Sequence, residues 1–210
     1  MKTISKDGRS VRAQSIYDEA HKKLVDSAIE LFNNPNVPNE NINISLIAKN
    51  AGTSVATAYN HFPNNLIDVF GSIFNIGFQK IVDSVTEFNK HNSDPYDQLQ
   101  AFITIQTETA IELGNAVREA FYQFRELLIN GKWIQGEPYV FLSNICEQYA
   151  KENSDVNVES LADDIFVLWN GYIYLWMRYN PNFEIWSQFT DEWLLQKMSK
   201  IVDKAIILQK

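Results

Sequence analysis

The chain has 210 residues, of which 45% are hydrophobic, and it contains only eight glycines and six prolines. This composition excludes a collagen-like or disordered chain and predicts a compact, helix-rich protein with a substantial core. The single cysteine, Cys146, excludes an internal disulfide, and the first residues lack the apolar stretch of a signal peptide. The apolar run at 165–177 is too short to cross a bilayer. We therefore expect a cytoplasmic protein outside the membrane.

The charge of the chain is distributed unevenly. The net charge is −8, yet residues 1–65 hold seven Lys and Arg against six acids, whereas the remainder holds 11 against 20. We call residues 1–65 the head and the remainder the body. A slightly basic head and an acidic body fit a protein whose head faces nucleic acid, because phosphates repel the body. An ordinary solvated surface would produce the same small excess.

The first 33 residues predict a polar arm followed by a helix. Residues 1–14 are cationic and show no apolar periodicity. Ser15 and Asp18 have the spacing of a capping box, and Leu24, Ala28 and Leu31 then recur at helical spacing up to about Asn33. We therefore expect a flexible basic arm over 1–14 and a first helix after it.

Residues 43–62 predict two short helices that meet at a glycine. Asn43 and Ser54 are good N-caps, and Gly52 lies where a helix needs a left-handed terminating residue. The second helix carries an apolar stripe, with Val55, Ala58, Tyr59 and Phe62 at i, i+3, i+4 and i+7. This spacing leaves Ala56, Thr57, Asn60 and His61 facing away from the stripe or at its edge. The pattern is typical of a helix-turn-helix, although an ordinary helical hairpin shares it.

The rest of the chain also predicts helices only. A long helix from Asn64 to about Lys90 has a broad apolar stripe, which suits an element that leaves one core and enters another. The helices that we expect beyond it cover residues 96–113, 116–130, 138–152, 158–179 and 189–208, with Gly114 as a break and 131–136 as a turn. The fold class is therefore all-α.

Aromatic residues are concentrated in the body. All five tryptophans lie beyond residue 130. Large rings of this kind fill cores, and they also line pockets for hydrophobic ligands when a few polar groups converge on them. The residues that we select as candidates for a ligand pocket are Phe102, Gln106, Thr109, Phe121, Arg125, Trp169, Asn170 and Tyr172.

Motifs of catalysis and metal binding are missing from the sequence. The three histidines are scattered, and no nucleotide-binding loop or nucleophile motif occurs. Glu108 and Glu112 would share a helix face, but an acidic solvated face is the simpler interpretation. We therefore predict neither an enzyme nor a metal site nor a cofactor.

The head resembles the N-terminal domain of the tetracycline-repressor (TetR) family of bacterial transcriptional regulators. The resemblance covers roughly residues 22–69. It is carried by an Ala-x-x-Leu-Phe pattern at 28–32, by the pairs Ile47-Ala48 and Ala51-Gly52, and by a Ser-x-x-Thr-x-Tyr-x-His-Phe run at Ser54, Thr57, Tyr59, His61 and Phe62. Three departures stand out: the turn over 33–41 lacks the usual glycine, Asn65 stands where the family tends to have lysine, and Ala58 replaces a larger aliphatic residue.

The resemblance implies a ligand-responsive, sequence-specific DNA-binding transcriptional regulator, a repressor released by a small hydrophobic molecule. It implies a three-helix DNA-binding domain over 15–63 and a helical ligand-binding and dimerisation domain over 64–210. The expected partner is a near-palindromic operator in double-stranded DNA, bound by a homodimer that pairs through residues 158–179 and 189–208. The residues expected at the DNA are Asn43, Ser45, Ser54, Val55, Ala56, Thr57, Tyr59, Asn60 and His61. The alternative is an all-helical small-molecule-binding or interaction protein with a degenerate DNA-binding head.

Overall fold

The computed structural model of the chain describes residues 8–123 and 137–209. All regular elements in these two ranges are helical, which confirms the all-α class. Among the described residues, no helix combines the length and the apolar content that crossing a membrane requires. In chain order the helices are α1 (Gly8–Asn33), α2 (Ile44–Asn50), α3 (Val55–His61), α4 (Leu66–Asn89), α5 (Pro95–Tyr122), α6 (Glu137–Glu152), α7 (Val158–Trp176), α8 (Glu184–Ser187), α9 (Asp191–Met198) and α10 (Ile201–Leu208).

The chain forms two compact units, and α4 and α5 each contribute to both of them. The first unit contains the residues up to Phe74 together with those from Asn115 to the end of α5, and the second contains Asn75–Gly114 and α6 to α10. The first unit thus extends beyond the range 15–63 that we expected for the head, because it takes in the start of α4 and the end of α5.

In the first unit, α2 packs against both α1 and α3. The buried side chains of α1 are those with the predicted helical spacing, and Ile44, Ile47 and Ala48 supply the matching stripe of α2. A buried hydrogen bond from the Ser27 hydroxyl to the Ile47 carbonyl oxygen, at 3.0 Å, ties the two helices together. Ala58 and Phe62 of α3 complete this core and are fully buried.

Helix α1 begins earlier than the sequence indicated. Residues 8–14, which we assigned to a flexible arm, are helical, and residues 11–19 are exposed. No proline interrupts this stretch, and pairs four residues apart support it, such as Gln14 with Asp18 at 2.7 Å and Glu19 with Lys23 at 2.7 Å. The first seven residues of the expected arm lie outside the described residues.

In the second unit, α7 is the central helix and packs against α6, α9 and α10. Its buried face runs through Leu161, Ile165, Trp169, Ile173 and Trp176, at the three- and four-residue spacing of an amphipathic helix. The indole N–H of Trp176 donates to Asp191 Oδ1 at 2.8 Å, which satisfies the polar edge of a fully buried ring.

The expected last helix over 189–208 is two helices instead of one. Helix α9 ends at Met198, and α10 starts at Ile201. The Ser199 hydroxyl donates to the Gln196 carbonyl oxygen at 3.1 Å, and such a local side-chain bond competes with the helical ladder. The break expected at Gly114 is confirmed, since its φ of 58° and ψ of −130° are non-helical and suit glycine alone. The predicted helix end and turn over 124–136 lie outside the described residues.

Candidate functional site

The predicted N-caps of α2 and α3 are both present. Asn43 Oδ1 accepts the Leu46 amide at 3.0 Å, and Ser54 Oγ accepts the Thr57 amide at 3.0 Å. Gly52 adopts a φ of 66° between the two helices, as a left-handed terminator should. Because each helix has only seven residues, neither would be stable alone, and these caps with the packed face fix where the helices begin and how they are oriented.

Helix α3 presents an exposed ridge, which we define as Val55, Ala56, Thr57, Tyr59 and Asn60. Four of these side chains are exposed, with Val55 at 41% and Tyr59 at 45%, and Thr57 is half-buried. Val55 and Tyr59 share the apolar spacing of Ala58 and Phe62, but only Ala58 and Phe62 are buried. Val55 and Tyr59 are exposed, and the ridge therefore contains an aromatic hydroxyl.

His61 differs from the expectation in the opposite direction. The sequence placed it on the outward side of α3, but its side chain is 8% exposed and packs on Tyr17 of α1 with a distance of 4.0 Å between ring centroids. Position 61 lies three residues after Ala58, on the face that α1 covers, so helical geometry turns it inward. In this conformation the imidazole has little surface for a phosphate.

The polar groups around the ridge are partly engaged already. The hydroxyls of Ser54 and Thr57 lie 2.8 Å apart and share a hydrogen bond, while Ser45 is exposed on the first turn of α2. A hydroxyl has one donor and two acceptor positions, so Ser54 and Thr57 keep capacity for a further partner. Asn43 is exposed as well as capping.

Asn65 occupies a turn with a left-handed backbone conformation. Its φ is 59°, which makes it the non-glycine residue with positive φ among the described residues. Asparagine tolerates this left-handed conformation better than residues with long side chains. The Asn65 amide donates to the Phe62 carbonyl oxygen at 3.0 Å, so the turn joins the end of α3 to the start of α4.

A small apolar cavity lies inside the second unit. Its lining residues are Phe102, Ile103, Gln106, Leu142, Ile165, Phe166 and Trp169. The space left for the centres of water-sized molecules is about 10 Å³, which suits one water at most. Gln106 is the polar side chain of the lining, and the other lining residues are apolar.

Three of the eight ligand candidates, Phe102, Gln106 and Trp169, line this cavity. Sequence reasoning missed Ile103, Leu142, Ile165 and Phe166, whose signal was only that of ordinary apolar stripes.

Four of the other candidates lie elsewhere. Phe121 belongs to the first unit and packs edge-on against Phe74 at 5.0 Å. Thr109 is buried near Gly77, the Asn170 amide donates to its own helix at the Phe166 carbonyl oxygen, and the Tyr172 hydroxyl accepts from Lys204 at 2.8 Å. Arg125 lies outside the described residues. The helical period alone does not say which neighbouring helix each face meets.

The part of the chain that the structure describes holds no group of three or more His, Cys, Asp or Glu side chains that could bind a metal ion. Comparison with family models, with curated proteins and with solved structures finds no match to this chain.

The cap of α2 gives a test of the local architecture. Asn43→Ala should lower the free energy of unfolding by about 0.5–2 kcal/mol, because the Leu46 amide loses its acceptor. Ser45→Ala, in the first turn of the same helix and also at an exposed position, should change it by less than about 0.5 kcal/mol. Urea unfolding followed by circular dichroism measures both, and equal effects of the two changes would contradict the capping role.

Proposed function

We propose that this protein is a ligand-responsive, sequence-specific DNA-binding transcriptional regulator that acts as a homodimer and releases DNA when a small hydrophobic molecule binds. The observation that carries the proposal is the exposed ridge of α3, held by a capped, fully packed seven-residue helix. A short helix whose outer face offers methyl groups, hydroxyls and an amide fits the major groove of DNA.

The ridge predicts how sequence would be read. Val55 and Ala56 offer methyl contacts, which suit the methyl group of thymine, and Thr57 adds a hydroxyl. Tyr59, Asn60, Ser45 and the capping side chains would hold phosphates. Bidentate readers are few on the ridge, so specificity should depend largely on thymine methyls and on DNA shape.

Charge on the exposed surface of the head is weak. Lys22 pairs with Asp26 at 2.6 Å, and Lys23 pairs with Glu19 at 2.7 Å, so these cations are already balanced by carboxylates. With Asn65 in place of lysine, one further phosphate contact is lost, and the slope of affinity against salt should be smaller by about one charge. These observations also favour the alternative function, an all-helical binding protein whose head no longer recognises DNA.

DNA binding is tested by selecting fragments from a genomic library with the purified protein at low salt. We expect enrichment of an inverted repeat whose half-sites lie about one helical turn, ~34–36 Å, or somewhat more apart. Tyr59→Ala should weaken binding by a similar factor on all sequences, whereas Thr57→Ala should change the preference at one position. Tyr122→Ala, at an exposed tyrosine on α5, is the matched control and should bind as the wild type does. Failure to enrich any inverted repeat would contradict the proposal and favour the alternative.

The homodimer is proposed on the exposed face of α7. Asp163, Val167, Gly171 and Tyr174 follow one another at three- and four-residue spacing, and Val167 is 67% exposed and Tyr174 is 51% exposed. Arg178, which is half-buried, lies in the turn after the end of α7, four residues beyond Tyr174. A Cβ added at Gly171 would meet nothing within 4 Å. Glycine in a helix interior costs about 1 kcal/mol relative to alanine, and the close approach of a second helix gives a reason for it.

The same face is self-complementary. If two copies of α7 cross in antiparallel fashion between positions 170 and 171, Val167 of each copy lies opposite Tyr174 of the other. Asp163 then lies opposite Arg178, so unlike charges meet at both ends, as a two-fold interface requires. Ile207 and Leu208, at the end of α10, are 66% and 63% exposed. They give an apolar surface to 189–208, the second segment through which we expect the homodimer to pair.

The dimer is tested with two valines of similar exposure. Val167→Glu should convert a dimer into a monomer, because each copy would bury one carboxylate against apolar side chains of the other copy. Val140→Glu on α6, where the valine is 56% exposed, should leave the mass unchanged. Light scattering coupled to size exclusion reads the result, and an unchanged mass for Val167→Glu would contradict this interface.

The ligand part of the proposal rests on the cavity and on α5. This helix carries Phe102 and Gln106 of the lining, and beyond Gly114 it carries Asn115 and Glu119. The Asn115 amide donates to Asn33 Oδ1 at 2.7 Å, and Glu119 accepts from Asn39 Nδ2 at 2.6 Å. One helix thus provides a covalent route from the cavity lining to the end of α1. To lower DNA affinity tenfold, a ligand must favour the released state by about 1.4 kcal/mol.

Filling the cavity tests this part. We expect small apolar molecules to be released when the purified wild type is denatured, and mass spectrometry should detect them. Ile165→Phe would fill the cavity with a larger side chain, so it should abolish the retention of these molecules. It should also lower the free energy of unfolding by about 1–3 kcal/mol. Val140→Phe adds a ring at an exposed site and should retain them. Equal retention by the two variants would contradict a ligand in this cavity.

A further inference from the structure

Four rings meet where α1 contacts the end of α3, and we call them the ring stack: Tyr17, His21, His61 and Phe62. The centroids of Tyr17 and His61 lie 4.0 Å apart, those of His21 and His61 lie 5.5 Å apart, and those of His21 and Phe62 lie 5.1 Å apart. Two of the three histidines in the chain are therefore neighbours across this helix contact, 40 positions apart in sequence.

Two ring nitrogens of the stack have no hydrogen-bond partner among the described residues. They are Nδ1 of His21 and Nδ1 of His61, and both are buried. In a neutral imidazole, Nδ1 can be the bare acceptor nitrogen, which is the less costly group to leave unpaired. Protonation makes both ring nitrogens donors, so it would place a charged N–H at a buried position that lacks an acceptor.

Burial and neighbouring groups shift the pKa values of the two imidazoles. Burial lowers the pKa of His21, and the Asp18 carboxylate on the same helix acts in the opposite direction. Burial and then the neighbouring His21 lower the pKa of His61. Asp18 is exposed and accepts a hydrogen bond from Gln14, and the hydroxyl of Tyr17 is the other titratable group of the stack. The balance of these groups favours two neutral rings in the folded head.

We propose that the His21–His61 pair is a proton-sensitive joint between α1 and α3, closed when both imidazoles are neutral and loosened when they are protonated. The ordinary pKa of histidine is 6.5, and both folded-state values lie below it. Above pH 6.5 both the folded and the unfolded chain hold neutral rings and stability does not change. As pH falls below that value the unfolded chain takes up protons first, so the stability of the head decreases until the folded rings also titrate.

The joint is tested without DNA. Proton NMR of the three histidines should show two imidazoles that titrate below pH 6.5, and His21→Phe and His61→Phe should each remove one of these signals. Hydrogen exchange at α3, corrected for the intrinsic rate, should accelerate between pH 7.5 and 5.5. Each of the two histidines should contribute at most about a tenfold acceleration over this range, because the unfolded imidazole titrates only about one pH unit above its lower end. Peptides of α7 should not show this acceleration.

Two variants separate titration from packing. The double variant His21→Phe/His61→Phe keeps aromatic rings in the stack and removes both protonation sites, so the exchange of α3 should no longer depend on this pH range. His91→Phe replaces the third histidine, which is highly exposed, and should keep the wild-type dependence. The proposal is overturned if both imidazoles titrate at or above pH 6.5, or if the double variant loosens with acid as the wild type does. The wild-type NMR titration decides the question even if the double variant does not fold.

A consequence for DNA rests on the proposed function. If α3 recognises an operator, acidification should weaken binding in the wild type and in His91→Phe but not in the double variant. The exchange and NMR readouts do not involve DNA, so a protein that never binds DNA would leave the joint intact. Conversely, the NMR titration could be confirmed while DNA binding does not change with pH. The joint would then affect the stability of the head but not its binding to DNA.

Discussion

The burial of Ala58 and Phe62 is the constraint on which the candidate DNA surface depends. Both side chains are fully buried, and they lie four residues apart, so they fix the rotation of α3 about its axis. A helix of seven residues has too few internal hydrogen bonds to hold its own orientation. The exposed ridge is therefore a consequence of the packed face: whatever seats these two residues decides which side chains meet solvent.

Local signals in the sequence were sufficient to place α2 and α3. Asn43 and Ser54 cap as predicted, and Gly52 takes the left-handed conformation, because each of these depends on a few neighbouring backbone groups. The face of α3 was predicted less well. Position 55 precedes and position 61 follows the packed core of the helix, and their burial depends on how α1 crosses α3, which no local pattern contains.

The same distinction applies to the body. The helical type of the elements follows from periodicity, and the break at Gly114 follows from its identity as a breaker. The interruption between Met198 and Ile201 and the short helix α8 were not predicted. The site does not follow, because a cavity is made where three helices meet and each supplies only part of its lining. Phe102 and Trp169 line the cavity because they lie on the buried faces of helices that meet there. Tyr172, three positions after Trp169, contacts Trp193 and Lys204 instead.

Two residues of the head, Ala58 and Asn65, fit their local surroundings. Ala58 is fully buried, and the rings of Phe62, His61 and Tyr17 pack together where the end of α3 meets α1. Asn65 satisfies a turn with positive φ that a lysine would adopt only with strain. If the proposed His21–His61 joint is correct, the packing of α3 on α1 depends on protonation. The joint and the turn at Asn65 both lie at the C-terminal end of α3, since His61 is its last residue and Asn65 belongs to the turn that follows.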